Sequence, residues 1–168
     1  MLRRFIPSLA IAAFAALPLA AQELAAPEGE VILTLSGEIA TTNAGDTAQF
    51  DLAMLEALGT ETIETTTIWT EGTNTFEGVS LKALAEAAGF EGGTLRATAI
   101  NDYAVEIPVT DAVEGGPIVA YRMNGAEMSV RDKGPLWIVY PYDASAEYRT
   151  EVIYSRSIWQ LDRIVVTD

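Results

Sequence analysis

The chain has 168 residues, with 24 Asp and Glu against ten Lys and Arg, a formal charge of −14, and neither Cys nor His. Such a surface repels nucleic acid and anionic lipid. The missing Cys and His exclude Ser-His-Asp triads, Cys nucleophiles, disulfides and the usual zinc, copper or haem ligand sets, so the fold must rest on its hydrophobic core.

Arg3 and Arg4 precede an apolar run from Phe5 to Leu19 and the small pair Ala20-Ala21, which reads as a secretory signal peptide over residues 1–21. Pro7 and Pro18 interrupt the run and its flank is acidic, so it is not a membrane span. Cleavage near Ala21 leaves eight Lys and Arg against 24 Asp and Glu, a formal −16. The expected mature protein is soluble and lies outside the cytoplasm. Residues 22–29, rich in Ala, Pro and Glu, read as a flexible leader, and 30–168 as one domain.

Val31 to Ile39 alternates as a half-buried strand. Asp51 caps a short helix with Leu52, Leu55 and Leu58 inward and Gly59 at its end. Glu61 to Trp69, rich in Thr and Ile, is extended. Ser80 opens the clearest helix, in which Leu81, Leu84, Ala85 and Ala88 share a face and Gly89 is the stop. Leu95 to Val109 is a hairpin or bent strand about Asn101-Asp102, with Pro108 marking an edge. Ile118 to Met123 is a strand and Asn124-Gly125 a hairpin turn. The segment from Pro141 to Ser157 reads as loop with one helical turn, and Ile158 to Val166 as the closing strand.

Arg131 to Tyr140 stands out. Arg131-Asp132-Lys133, then Gly134-Pro135, then five apolar or aromatic residues describe a polar loop feeding a strand buried on both faces. If the loop is extended, Arg131 and Lys133 point the same way, which suits a site for a flat, partly anionic ligand or a partner-binding patch. Lys82, Arg149 and Arg163 read as solvated surface. The class is β-rich α+β, a mixed sheet or barrel with a few short helices.

Phe76 to Gly89, Asn101-Asp102-Tyr103 running to Ile107-Pro108, Ile118 to Ala120, Asn124-Gly125, Gly134-Pro135 and Arg156-Ser157 follow one another in an order that resembles the sulfite oxidase-type molybdopterin-binding domain, over roughly residues 30–168. The resemblance implies that fold. In that family a Cys thiolate holds molybdenum, a His often precedes the Gly-Pro turn, and the closing motif is Arg-Ser-x-Lys-Trp. Here there is no Cys, Lys133 precedes the turn, and the closing motif is Arg156-Ser157-Ile158-Trp159-Gln160. The chain is similar to a short exported branch that binds a free, reduced pterin and reports to the periplasmic region of a membrane-bound signalling protein.

A pterin's amino-pyrimidinone edge calls for a carboxylate, a cation or backbone donors, and its bicycle for an aromatic face. Asp102 or Asp132 can accept from the edge, and Arg131 or Arg156 can reach its carbonyl. Trp69, Tyr103, Trp137 or Trp159 can stack, with Trp137 the better core residue of the four. Lys133 and Ser157 complete the candidate ligand site, and no catalytic or metal-ligating residue is assigned. The competing readings are a molybdopterin-dependent oxidoreductase with non-Cys coordination and a structural subunit that has lost its ligand.

Overall fold

The computed structural model of the protein describes residues 24–168, so the export segment read over residues 1–21 lies outside the described residues. Alternation produces β1 (Leu33–Gly37), with Leu33 and Leu35 buried, and β2 (Ala48–Phe50) pairs beside it. Asp51 then caps α1 (Leu52–Ala57), accepting the Met54 N–H at 2.9 Å. The same carboxylate accepts the Glu28 and Gly29 N–H groups at 2.9 and 2.7 Å, and Asn43 Nδ2 donates to the Ala25 carbonyl at 2.7 Å. The stretch read as a flexible leader is therefore tied down from Ala25 to Gly29.

The next elements are β3 (Glu61–Thr66), β4 (Thr73–Ser80) and α2 (Leu81–Ala88). Helix α2 has the expected ends: Ser80 Oγ accepts the Ala83 N–H, and Gly89 closes it at φ 72°. Strands β5 (Thr94–Ala99) and β6 (Ala104–Pro108) form a hairpin, followed by a 3-10 turn at Val109–Asp111. Strand β7 (Ile118–Met123) turns through Asn124-Gly125 into the two-residue β8 (Ala126–Glu127), and β9 (Trp137–Val139) is wholly buried.

Two sheets result. The first has the order β2-β1 and then, through a parallel pairing of β1 with the last strand β10 (Leu161–Thr167), β10-β5-β6. In the second, β3-β4-β7 carries both β8 and β9 along β7. The sheets do not close into a barrel. Strand β6 ends at Pro108, whose ring nitrogen has no N–H to extend the ladder. Their inner faces share one core, with Leu33, Phe76, Ile107, Val119, Trp137 and Ile164 all inaccessible.

Three local readings change. Val130–Asp132 is a 3-10 turn capped by Ser129, and Lys133 is left-handed at φ 73°, so Arg131 and Lys133 do not alternate along an extended chain. Only glycine fits at the following position, because a Cβ on Gly134 would lie 1.8 Å from the Met128 carbonyl oxygen. The stretch from Pro141 to Ser157 holds a 3-10 turn at Ala146–Tyr148 and a capped helix α3 (Glu151–Arg156). The closing strand starts at Leu161 rather than Ile158, because Gln160 takes φ 52° and breaks the extended run.

Candidate functional site

The β5–β6 turn, the loop after β3, the end of α3 and the segment leading into β10 surround a cavity of about 380 Å³. Its volume is at the small end of ligand sites, which span about 300–1,000 Å³. The wall is aromatic and amide, formed by Trp69, Tyr103, Tyr154 and Trp159 with Asn101 and Gln160. Ala99, Ser155, Ser157 and Ile158 complete it, so no lining side chain is charged.

Trp69 reaches the cavity because two clamps shape its loop. Thr67 Oγ1 accepts the N–H groups of Trp69 and Thr70 at 3.1 and 3.0 Å. Asp143 accepts the Thr66 N–H at 2.6 Å and the Thr66 hydroxyl at 2.9 Å, while its own N–H donates to Thr65 Oγ1. The Thr66 amide is the main cause holding the Asp143 carboxyl below its ordinary value of 3.8. So placed, Trp69 meets Trp137, Tyr142, Tyr154 and Trp159 edge-on, with centroids 5.6–6.2 Å apart. Edge-to-face rings at this spacing attract through their quadrupoles.

Ser157 ties this cluster to α3. Its carbonyl accepts the Trp137 indole N–H at 3.2 Å, and its hydroxyl accepts from Tyr142 at 2.7 Å and donates to the Ile153 carbonyl at 2.8 Å. Burial pushes the Tyr142 phenol up to about 12, which keeps it a neutral donor. Gln160 is the other tie. Its N–H donates to the Lys133 carbonyl and its Nε2 to the Val130 carbonyl, while its own carbonyl accepts the Ile100 N–H. The basic turn and the β5–β6 turn are thereby joined at the cavity.

Of the residues singled out from sequence, Trp69, Tyr103, Ser157 and Trp159 line the cavity, although the Ser157 hydroxyl is already committed. Lys133 stands beside it, with Nζ 5.6 Å from the Trp159 ring centroid and 5.7 Å from that of Trp137, a cation–π position. The others are elsewhere. Asp102 is left-handed at φ 65°, turns outward and pairs with Arg163, which is thus not simply solvated. Asp132 accepts from the Ser129 hydroxyl within its own turn, and Arg131 is exposed. Arg156 pairs with Asp111 at 2.9 Å, whose carboxylate also accepts from the buried Tyr140 hydroxyl, so it fastens α3 to the turn after β6. Trp137 is core, as its apolar surroundings indicate.

Asn101, Tyr154, Ser155 and Gln160 line the cavity without having been singled out. Tyr154 and Ser155 had a legible signal, since Thr150-Glu151 is an N-cap followed by an acidic first turn. Gln160 was legible only as the last position of the closing motif, because its role comes from contacts with distant turns.

Residues 47–148, more than half of the chain, match the family model described as the oxidoreductase molybdopterin binding domain. The chain belongs to this family. Among curated proteins, none matches it in sequence. The match spans β2 through the 3-10 turn at Ala146–Tyr148 and includes Trp69, Asn101 and Tyr103; the α3 and pre-β10 walls of the cavity lie beyond it.

The residues present do not fit the full cofactor that gives the family its name. No thiolate is available in a sequence without Cys, and no cation lines the cavity to hold a phosphate. Among the described residues, no three His, Cys, Asp or Glu side chains converge as a metal-ligand set. A thiolate that could hold a metal through sulfur is thus missing from this chain.

Proposed function

We propose that the chain binds a free, reduced pterin in the 380 Å³ cavity and reports its presence to the periplasmic region of a membrane-bound signalling protein, without molybdenum redox chemistry. The carrying observation is the uncharged wall of four aromatic residues and two amides. Asn101 Oδ1 accepts the Tyr103 N–H, leaving its Nδ2 without a partner among the described residues. Gln160 spends Nε2 on Val130 and leaves Oε1 equally uncommitted. One free donor and one free acceptor complement the carbonyl and N–H groups of an amino-pyrimidinone edge. Trp69, Trp159 and Tyr103 supply the faces on which the bicycle stacks. Asp102, paired with Arg163, and Asp132, which accepts from the Ser129 hydroxyl, take no part in this arrangement.

A second reading is an oxidoreductase that retains molybdopterin through non-Cys coordination, and the family match favours it. Anaerobic titration of the purified protein with a tetrahydropterin, followed by tryptophan fluorescence, together with elemental analysis for molybdenum, separates the two. Saturable quenching with no molybdenum supports pterin capture. Stoichiometric molybdenum supports the oxidoreductase, and the absence of both leaves only the family fold.

A further inference from the structure

Seven large apolar side chains are exposed among the described residues; one of them, Tyr103, lines the cavity, and Ile68, Ile100, Val130 and Val152 are joined by chain or hydrogen bond to residues that line it. Tyr103 lines the cavity yet is 59% exposed. Ile68 directly precedes Trp69, and Ile100 lies between Ala99 and Asn101 with its N–H bonded to Gln160. Val130 gives its carbonyl to Gln160, and Val152 sits one helical turn before Ser155, whose hydroxyl bonds the Val152 carbonyl. Burying these side chains in another molecule is favourable, and such a concentration about one opening marks an interaction surface.

Charge restricts what can cover it. Lys82, Arg122, Arg156 and Arg163 each have a carboxylate partner, whereas Arg96, Arg131, Lys133 and Arg149 form no ion pair among the described residues, and of these Arg131 and Lys133 share the turn held by Gln160. In a chain of formal charge −14, an anionic bilayer or a second copy meets net repulsion. A short acidic segment set among apolar residues meets two unpaired cations and an apolar rim instead.

We infer that the cavity mouth is a docking surface for an acidic, apolar segment of another protein, which closes over the bound ligand and so reads its presence. This deepens the proposed function and rests on it for the identity of the molecule beneath the partner.

The test places a photo-crosslinking residue at Ile100, Val130 or Val152 of the full chain in its native cells, with and without added tetrahydropterin. Val31, exposed beside the Asp51 strap, is the control position. The expected result is an adduct from the three mouth positions to one protein, through a segment rich in Asp, Glu and apolar residues, that falls at least about tenfold with Arg131→Glu. An equal adduct from Val31, adducts to lipid or to a second copy, a basic segment, indifference to Arg131→Glu, or no adduct would overturn the inference. Pterin titration of the unaltered chain is read separately. Adducts that persist when no pterin binds overturn the ligand reading and leave the docking surface standing.

Discussion

Asn101 and Asp102 are neighbours in one turn and do opposite things. The left-handed backbone of Asp102 swings its carboxylate out to Arg163, while Asn101 keeps its amide at the cavity wall with Nδ2 uncommitted. Removing a ligand-facing amide costs about 1 kcal/mol, or roughly fivefold in affinity. Asn101→Ala is therefore expected to weaken tetrahydropterin binding about fivefold, and Asp102→Ala to leave it within about twofold, because an exposed ion pair contributes little. Isothermal titration of both variants checks this. Equal losses would put the ligand edge at Asp102 and displace Asn101 from the site.

Two carboxylates at element ends organise much larger pieces of chain. Asp51 caps α1 and pins the strap before β1, so Asp51→Ala should destabilise the protein by about 1–2 kcal/mol. It should also speed amide exchange at Glu28 and Gly29, where urea melts alone would miss the local opening. Asp143 lies outside the cavity yet fixes the turn that delivers Trp69. Asp143→Ala is expected to red-shift tryptophan emission and weaken pterin binding, with Trp69→Phe in the same background abolishing the extra shift. An unchanged spectrum would mean that Thr67 alone suffices to hold the loop. The capping role of Asp51 was legible because it precedes an apolar helix. That of Asp143 was not, because its partner Thr66 is 77 residues away. The same distinction runs through the site. Helix α2 was readable from Ser80, its apolar period and Gly89, and the β5–β6 turn from Asn101-Asp102. The basic stretch was legible as a polar loop but its shape was not, because that depends on Ser129 and on the close approach of Gly134 to Met128. Aromatic residues next to turns line the cavity with Lys133 beside them, but sequence does not show that Arg156 is claimed by Asp111.

At the scale of the whole molecule, surface repulsion and these local clamps respond to acid with opposite signs. A formal charge of −14 strains the folded state at pH 7, and approach to the sequence pI of about 4.2 relieves that repulsion. Asp51 and Asp143 are both held below their ordinary value of 3.8, first by the Gly29 and Thr66 amides respectively. A carboxyl depressed by folding stabilises the native state in full above its unfolded value, because there both states are ionised and only the folded one has the hydrogen bonds. As pH drops beneath 3.8 the unfolded chain takes up protons first, and the stabilisation is lost through the folded values. The melting temperature of the protein should therefore rise as pH falls from 7 toward about 4.2 and decline steeply below 3.8. Raising ionic strength from about 0.02 to about 0.5 M should increase it at pH 7 and do much less near the pI, since salt screens the repulsion between exposed charges. Asp51→Asn should lower the plateau and flatten the acid limb, because its amide cannot ionise. Calorimetry across pH 2.5–7 at the two ionic strengths reads all three effects. A melting temperature that falls steadily from pH 7 would show that ion pairs such as Arg122–Glu56 and Arg156–Asp111 outweigh the net repulsion, and that the acidic surface is organised rather than merely crowded.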